Sequence, residues 1–145
     1  MTVGRVCVRE VDLADSDEAV QVAAERMHDR KVGTLVVKDD AGRPIGILTD
    51  RDLAIRVVAQ GRDPYQTTVG EILTQFPRSI DEDTAIETAL GVMRSGPFRR
   101  LPVVDRDGLL VGLLSLDDIL DLLTEEFNQI GQLLQKESPS SLGQL

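Results

Sequence analysis

Two short segments carry the residues best suited to chemistry. Thr49-Asp50-Arg51-Asp52 and Ser115-Leu116-Asp117-Asp118 each set a hydroxyl three residues before a carboxylate, directly ahead of an apolar run with helical spacing. A helix start of this kind offers backbone N–H donors and a hydroxyl that suit a phosphate. The carboxylate accepts well from two ribose hydroxyls, as the acidic residue of dinucleotide-binding folds does. The same spacing is also that of a capping box, in which hydroxyl and carboxylate satisfy the first N–H groups of the helix. The two roles are compatible, and together they favour an Asp on a ribose with the phosphate displaced toward an arginine.

Arginine placement separates the two segments. Arg99 and Arg100 stand just before a strand whose neighbour ends at Ser115, so a guanidinium, a hydroxyl and Asp118 can converge there. The two arginines alternate along that strand, and only one can face such a site. The equivalent positions near Thr49 are Gly33 and Thr34, which carry no charge. Arg51 at the helix start and Arg56 beyond it are the possible replacements there. Arg51 also reads as a solvated helix residue.

Catalysis finds little support. The chain has no Gly-x-Gly-x-x-Gly, Gly-x-x-x-x-Gly-Lys-Ser/Thr or Gly-x-Ser-x-Gly, so the common phosphate loops and the nucleophile elbow lack their backbone geometry. One histidine, His28, and one cysteine, Cys7, leave little for a zinc or triad site and exclude an internal disulfide. Asp39-Asp40 and Asp117-Asp118 suit turns and helix starts better than a metal. We expect neither catalysis nor a metal. Met27 and Met93 read as gap-filling core residues, Cys7 as buried and His28 as a surface residue.

The elements that must position these residues are written twice. A shift of 66 positions lays Gly46 on Gly112, Val3-Gly4 on Val69-Gly70, Ala23 on Ala89, Met27 on Met93, Asp39 on Asp105 and Asp52 on Asp118 without a gap. Two copies are too few for a solenoid, so they should close on each other as a pseudo-symmetric pair, and a site between them should occur twice. Val20, Ala23, Ala24 and Met27, matched by Ile86, Ala89, Leu90 and Met93, predict a first amphipathic helix in each copy. Thr34 to Lys38 and Pro44 to Leu48, separated by Asp39-Asp40-Ala41-Gly42, predict an antiparallel hairpin, repeated at 101–104 and 109–114. Leu53, Ala54, Val57 and Val58 mark a second helix ended by Gly61 and Pro64. Its counterpart continues an apolar stripe through Ile119, Leu123, Phe127, Ile130 and Leu134 to about Lys136. That stripe outlasts its own repeat, so its far end should pack on another chain or fold back.

Composition bounds the rest. With 145 residues, 41% apolar and 28% charged, the chain has the material for an ordinary globular core. A formal charge of −9 argues against a nucleic-acid surface, whose affinity rests on spread positive charge. No apolar run approaches the ~18 residues of a membrane helix, and Arg5, Arg9 and Glu10 interrupt any signal-peptide core. A cytoplasmic protein is the expectation.

Two units with a hydrophobic strand ending in Gly-x-x-Thr/Ser-x-x-Asp at a helix start resemble the cystathionine-β-synthase (CBS) domain family, whose tandem pair is called a Bateman module. Gly46-Ile47-Leu48-Thr49-Asp50-Arg51-Asp52 and Gly112-Leu113-Leu114-Ser115-Leu116-Asp117-Asp118 carry the resemblance, with Phe98-Arg99-Arg100-Leu101-Pro102-Val103-Val104-Asp105 as a second-strand signature. It covers roughly 3–126. Repeat 1 departs from the pattern, with Val36 in place of Pro102 and no basic residue before it.

The resemblance implies an α+β fold of two pseudo-symmetric repeats, each helix–hairpin–helix with a short lead-in strand, packed sheet to sheet. On this reading 1–60 is repeat 1, 61–68 a linker, 69–126 repeat 2, 127–136 an extended C-terminal helix and 137–145 a flexible tail. Similar modules bind adenosine ligands such as AMP, ADP, ATP, NAD or S-adenosylmethionine in two clefts, form homodimers and regulate a partner. A stand-alone pair would act in trans. The implied ligand residues are Thr49, Asp50, Arg51, Asp52, Arg100, Ser115 and Asp118, with Arg100 preferred over Arg99. Walls implied from the opposite repeat are Asp12, Leu13 and Val32 for the Ser115/Asp118 site, and Ser79, Ile80 and Phe98 for the Thr49/Asp52 site. The apolar members read more readily as core.

Overall fold

A computed structural model describes residues 1–75, 78–96 and 98–137. The first half contains a one-turn helix α1 (Val3–Val6), a short strand β1 (Leu13–Ala14) and helix α2 (Val20–Arg30). The hairpin β2 (Thr34–Lys38) and β3 (Pro44–Thr49) follows, then helix α3 (Asp50–Leu53). The second half repeats the order as α4 (Val69–Ile72), β4 (Thr74–Gln75), β5 (Ile80–Asp81), α5 (Ile86–Arg94), β6 (Arg100–Val104), β7 (Leu110–Ser115) and α6 (Leu116–Lys136).

The hairpins form as their turn residues dictate. The Asp39 carboxylate accepts from the N–H groups of Ala41 at 3.0 Å and Arg43 at 2.9 Å. Asp105 does the same for Asp107 at 2.9 Å and Leu109 at 3.0 Å. Gly42 and Gly108 take φ of 87° and 80°, a left-handed conformation open to glycine at little cost. The register is equivalent in both copies, with an irregularity at Val37/Lys38 and at Val103/Val104.

The halves are interlaced. The sheet order β1-β2-β3-β4 takes its last strand from the second copy, while Val8 of the first copy bridges to Leu113 on the edge of β5-β6-β7. The hydrophobic cores are exchanged in the same way. Val69 and Ile72 pack with Ala23, Leu35, Leu48 and Val57, and Val3 and Cys7 pack with Ile86, Ala89, Leu101 and Leu114. Each lead-in thus completes the core of the other copy. The crossing is close enough to require glycine on the strand beneath, since a β-carbon at Gly46 would lie 2.5 Å from Leu73 Cδ1 and one at Gly112 would lie 2.7 Å from Cys7 Sγ.

The expected lead-in strand is therefore a correction. Both lead-ins, Val3–Val6 and Val69–Ile72, are single helical turns. Their first N–H groups already have acceptors on facing loops: Val3 and Gly4 donate to the carbonyls of Thr84 and Glu82, and Val69 and Gly70 to those of Glu18 and Ser16. The chain extends only afterwards, where it meets the sheet edge. The linker is also more ordered than its composition suggests, for Thr67 is buried and its hydroxyl donates to the Asp63 carbonyl at 2.8 Å.

Leu35, Val37 and Leu48 belong to the core beneath the helices, whereas Val36 alternates to the opposite face of β2 and is fully buried outside either core cluster, with Pro102 at its equivalent position. The second helix of the first copy differs from the expectation. It widens after Leu53 into a π-helical stretch, Ala54–Val58, in which the Ala59 N–H donates to the Ala54 carbonyl at 2.9 Å. The widened turn buries Val57 and leaves Val58 exposed. Met27, Met93 and Cys7 are buried, and His28 is exposed beside Asp29. Of the expected tail, residues 138–145 lie outside the described residues.

Candidate functional site

Both hydroxyl–carboxylate segments form complete capping boxes. In the first, the Asp52 N–H donates to Thr49 Oγ1 at 3.1 Å and the Thr49 N–H donates to Asp52 Oδ2 at 2.9 Å. In the second, the Asp118 N–H donates to Ser115 Oγ at 3.1 Å and the Ser115 N–H donates to Asp118 Oδ2 at 3.0 Å. One carboxylate oxygen of each Asp is thus spent on its helix, and Oδ1 is left to meet the surroundings.

The surroundings differ. Asp52 Oδ1 accepts from the Thr74 hydroxyl at 3.4 Å and lies 3.9 Å from Arg56 Nε. Arg56 also donates through Nη1 to the carbonyls of Ile72 at 2.8 Å and Leu73 at 3.2 Å. Its guanidinium is tied to the incoming lead-in and is not presented to a phosphate. The 66-residue shift puts Val8 and Leu122 where Thr74 and Arg56 stand, and neither can bond to a carboxylate. Among the described residues, Asp118 bonds only within its own capping box.

Around Asp118 a cleft of about 310 Å³ opens between the halves. It brings together Arg100, Ser115, Asp117 and Asp118 from one copy with Asp12, Val32, Gly33 and Thr34 from the other. Arg100 pairs directly across the strands with Ser115, which sets a guanidinium beside a hydroxyl. Arg99, one residue ahead of β6, borders a neighbouring recess of about 220 Å³, which Arg100, Ser115 and Asp117 also line. Glu10, absent from the sequence-based set, lines the cleft as well. Asp12 shares its charge with Arg30, whose Nε donates to Asp12 Oδ1 at 2.9 Å.

Other expected residues are placed elsewhere. Leu13 lies on β1 opposite Val36 and lines a separate cleft with Glu18, Arg26 and Lys38. Ile80 is buried in the core completed by Val3 and is not available as a wall of the Thr49/Asp52 site. Phe98 packs against that core and lines a groove with Leu90, Met93 and Leu116, bordered also by Glu87, Arg94 and Arg99. Ser79 is exposed ahead of β5. Asp50 folds over Gly33, where a β-carbon would lie 2.8 Å from its Oδ2, and Arg51 is exposed at the helix start.

A hydrogen bond from Arg26 holds the Glu18 carboxyl below its ordinary range, against the opposing effect of burial, and Arg26 is raised in turn. Burial raises the Cys7 thiol, which makes it a packing residue and a poor nucleophile. No group of three or more His, Cys, Asp or Glu side chains able to hold a metal occurs among the described residues, and no helix among them is long and apolar enough to cross a membrane.

Known proteins share this fold and sequence pattern. The chain is 34% identical over 122 residues to an uncharacterized protein of Methanopyrus kandleri, covering 84% of this chain and 62% of that one. It is 34% identical over 125 residues to hypoxic response protein 1 of Mycobacterium tuberculosis, covering 86% and 82%. Against the Arabidopsis thaliana protein CBSCBSPB2 it spans 20% of the relative's length. Among solved structures, hypoxic response protein I with two coordinated zinc ions superposes with a TM-score of 0.73 at 31% identity, covering 83% of this chain and 98% of that one. The CBS domain pair of protein MJ0100, in complex with 5′-methylthioadenosine and S-adenosyl-L-methionine, superposes with a TM-score of 0.74 at 25% identity, covering 87% and 98%. The CBS domain family model matches residues 3–59 and again 69–125, and the chain belongs to the CBS domain family as a tandem pair.

Proposed function

We propose that the chain is a regulatory module that binds an adenosine-containing ligand in the Ser115/Asp118 cleft and thereby changes its hold on a protein partner. The observation that supports this best is the convergence of Arg100, Ser115 and Asp118 with Val32 from the opposite copy in a cleft of about 310 Å³, within the size range of small-ligand sites. The free oxygen of Asp118 would accept from the ribose hydroxyls. Arg100 and Ser115 would take one anionic group, and Val32 would flank the base. The neighbour crystallised with 5′-methylthioadenosine and S-adenosyl-L-methionine supports the ligand class.

Charge narrows the class. Glu10, Asp12, Asp117 and Asp118 line the cleft against the single guanidinium of Arg100. Such a site suits one anionic group, or a cationic sulfonium with one carboxylate, and repels a polyphosphate chain. AMP and S-adenosylmethionine should therefore bind ahead of ATP and NAD. Ligand can shift the module only by its differential affinity for the two arrangements of the halves. On this reading the protein is not an enzyme, works in the cytoplasm as a homodimer and acts in trans.

A second reading has its own observation. Both capping boxes are fully bonded, so Thr49, Asp52, Ser115 and Asp118 have a structural role without any ligand, and the chain would then be a non-sensing interaction module. A thermal-shift panel on nucleotide-stripped protein with AMP, ADP, ATP, NAD and S-adenosylmethionine separates the two. A ligand at 100 times its Kd adds about 2.7 kcal/mol, and the sensor reading expects that rise to vanish in Asp118→Ala. No rise with any of them at millimolar concentration favours the interaction module.

A further inference from the structure

The carboxylates of the Ser115/Asp118 cleft are unequally matched by cations. Asp12 is held at 2.9 Å by Arg30 Nε. Asp117 also lines the neighbouring recess, which Arg99 and Arg100 border. Asp118 gives one oxygen to its capping box. Glu10, which reaches the cleft from the first copy, has no such answer. The cation next to it in sequence turns away: Arg9 Nη2 donates to the Gly4 carbonyl at 2.8 Å and lies 3.2 Å from Glu82 Oε1. Among the described residues, Glu10 takes part in no ion pair.

We propose that Glu10 makes this cleft select a positively charged adenosine ligand, a sulfonium, over the neutral thioether of nearly the same shape. Given the adenosine reading of the cleft, on which this inference rests, Asp118 holds the ribose and Arg100 the one anionic group. Both contacts fall on parts that the sulfonium and the thioether share. The charge on sulfur is the feature that separates the two ligands, and the unmatched carboxylate of Glu10 is the group that responds to it. Walls of low dielectric concentrate the field of such a carboxylate within the cleft. Glu10 is itself exposed, so water and salt hold the discrimination to roughly tenfold. The same charge opposes a phosphate, and Glu10 therefore acts in opposite directions on S-adenosylmethionine and on AMP. A residue that merely shaped the cleft would act on both alike. Arg30 has the converse role, because it neutralises Asp12 and keeps a second carboxylate from adding to the effect.

Isothermal titration calorimetry on the full chain at low salt tests this, with S-adenosylmethionine, S-adenosylhomocysteine, AMP and 5′-methylthioadenosine as probes. The wild type should bind S-adenosylmethionine about tenfold more tightly than S-adenosylhomocysteine. Glu10→Gln should bring the two within about twofold and tighten AMP by about threefold. Glu10→Asp, which keeps the charge, should keep the preference, and Arg30→Gln should widen it. A preference unchanged in Glu10→Gln, or an equal loss for all four probes, would overturn the proposal. Binding of 5′-methylthioadenosine without any preference for the sulfonium would defeat the role of Glu10 alone. No binding of any probe would defeat the adenosine reading along with it.

Discussion

Asp52 and Asp118 hold equivalent positions in the two copies and make the same capping bonds, yet they meet different surroundings. Asp52 is answered from within by Thr74 and Arg56, whereas Asp118 looks into a cleft beside Arg100. The difference arises at three pairs of positions related by the 66-residue shift: Thr74 and Val8, Arg56 and Leu122, Thr34 and Arg100. In the first copy the cation stands on the helix that also carries the carboxylate, and it neutralises that carboxylate. In the second it stands on the neighbouring strand, where it and the carboxylate line one cleft. A duplicated scaffold thus retains two helix caps while offering a guanidinium and an uncommitted carboxylate oxygen at one of them.

The largest expected effect comes from removing the two carboxylates in turn. Asp118→Ala should weaken binding of an adenosine ligand by about 100-fold, the loss of hydrogen bonds to a charged acceptor, while Asp52→Ala should change it less than about threefold. Isothermal titration calorimetry reads both, and equal losses would erase the distinction between the copies. Arg100→Ala should next cost roughly 30-fold for AMP and little for 5′-methylthioadenosine, which has no anionic group to lose. A matching loss for both ligands would remove Arg100 from its assigned contact.

Stability changes sharpen the comparison further. Arg56→Leu should lower unfolding free energy by about 1–2 kcal/mol, since it strips donors from the carbonyls of Ile72 and Leu73 and a cation from Asp52. Leu122→Ala, at the equivalent position, should reproduce none of this polar loss. Thr49→Ala and Ser115→Ala should each cost about 1 kcal/mol, and denaturant unfolding that found them unequal would show that the caps differ as well as the clefts. The smallest effect belongs to Glu18 and Arg26, whose counterparts Thr84 and Val92 cannot form an ion pair. Because the folded Glu18 carboxyl is held below its ordinary range, its contribution is present above that range and is lost as pH falls through the folded value. Acid unfolding below about pH 4 should therefore be less steep in Glu18→Gln than in the wild type.

Much of the scaffold is legible in the chain because it rests on local rules. The hairpin turns follow from Asp39, Gly42, Asp105 and Gly108, the caps from Thr49 and Ser115, and the core helices from the spacing of Val20, Ala23 and Met27 and their counterparts. The convergence of Arg100, Ser115, Asp118, Asp12 and Val32 was also readable, partly from strand alternation and partly from family likeness. The exchange of lead-ins was not, because it depends on long-range partners. The Val3–Val6 and Val69–Ile72 segments look like strands by composition and become helical turns when facing loops accept their N–H groups. Ile80 is drawn for a related reason into the core behind it, the packing role its apolar side chain also suggests. The closure of Asp52 by Thr74 is not legible in the chain, because these residues are 22 apart, in different copies, and meet only through the exchange.

The most direct test of the account is the binding stoichiometry of the wild-type chain, measured by isothermal titration calorimetry with AMP and with S-adenosylmethionine on nucleotide-stripped protein. The account predicts one ligand per chain, abolished by Asp118→Ala and preserved by Asp52→Ala. Two equivalents per chain, or a single equivalent lost on Asp52→Ala and kept on Asp118→Ala, would contradict it.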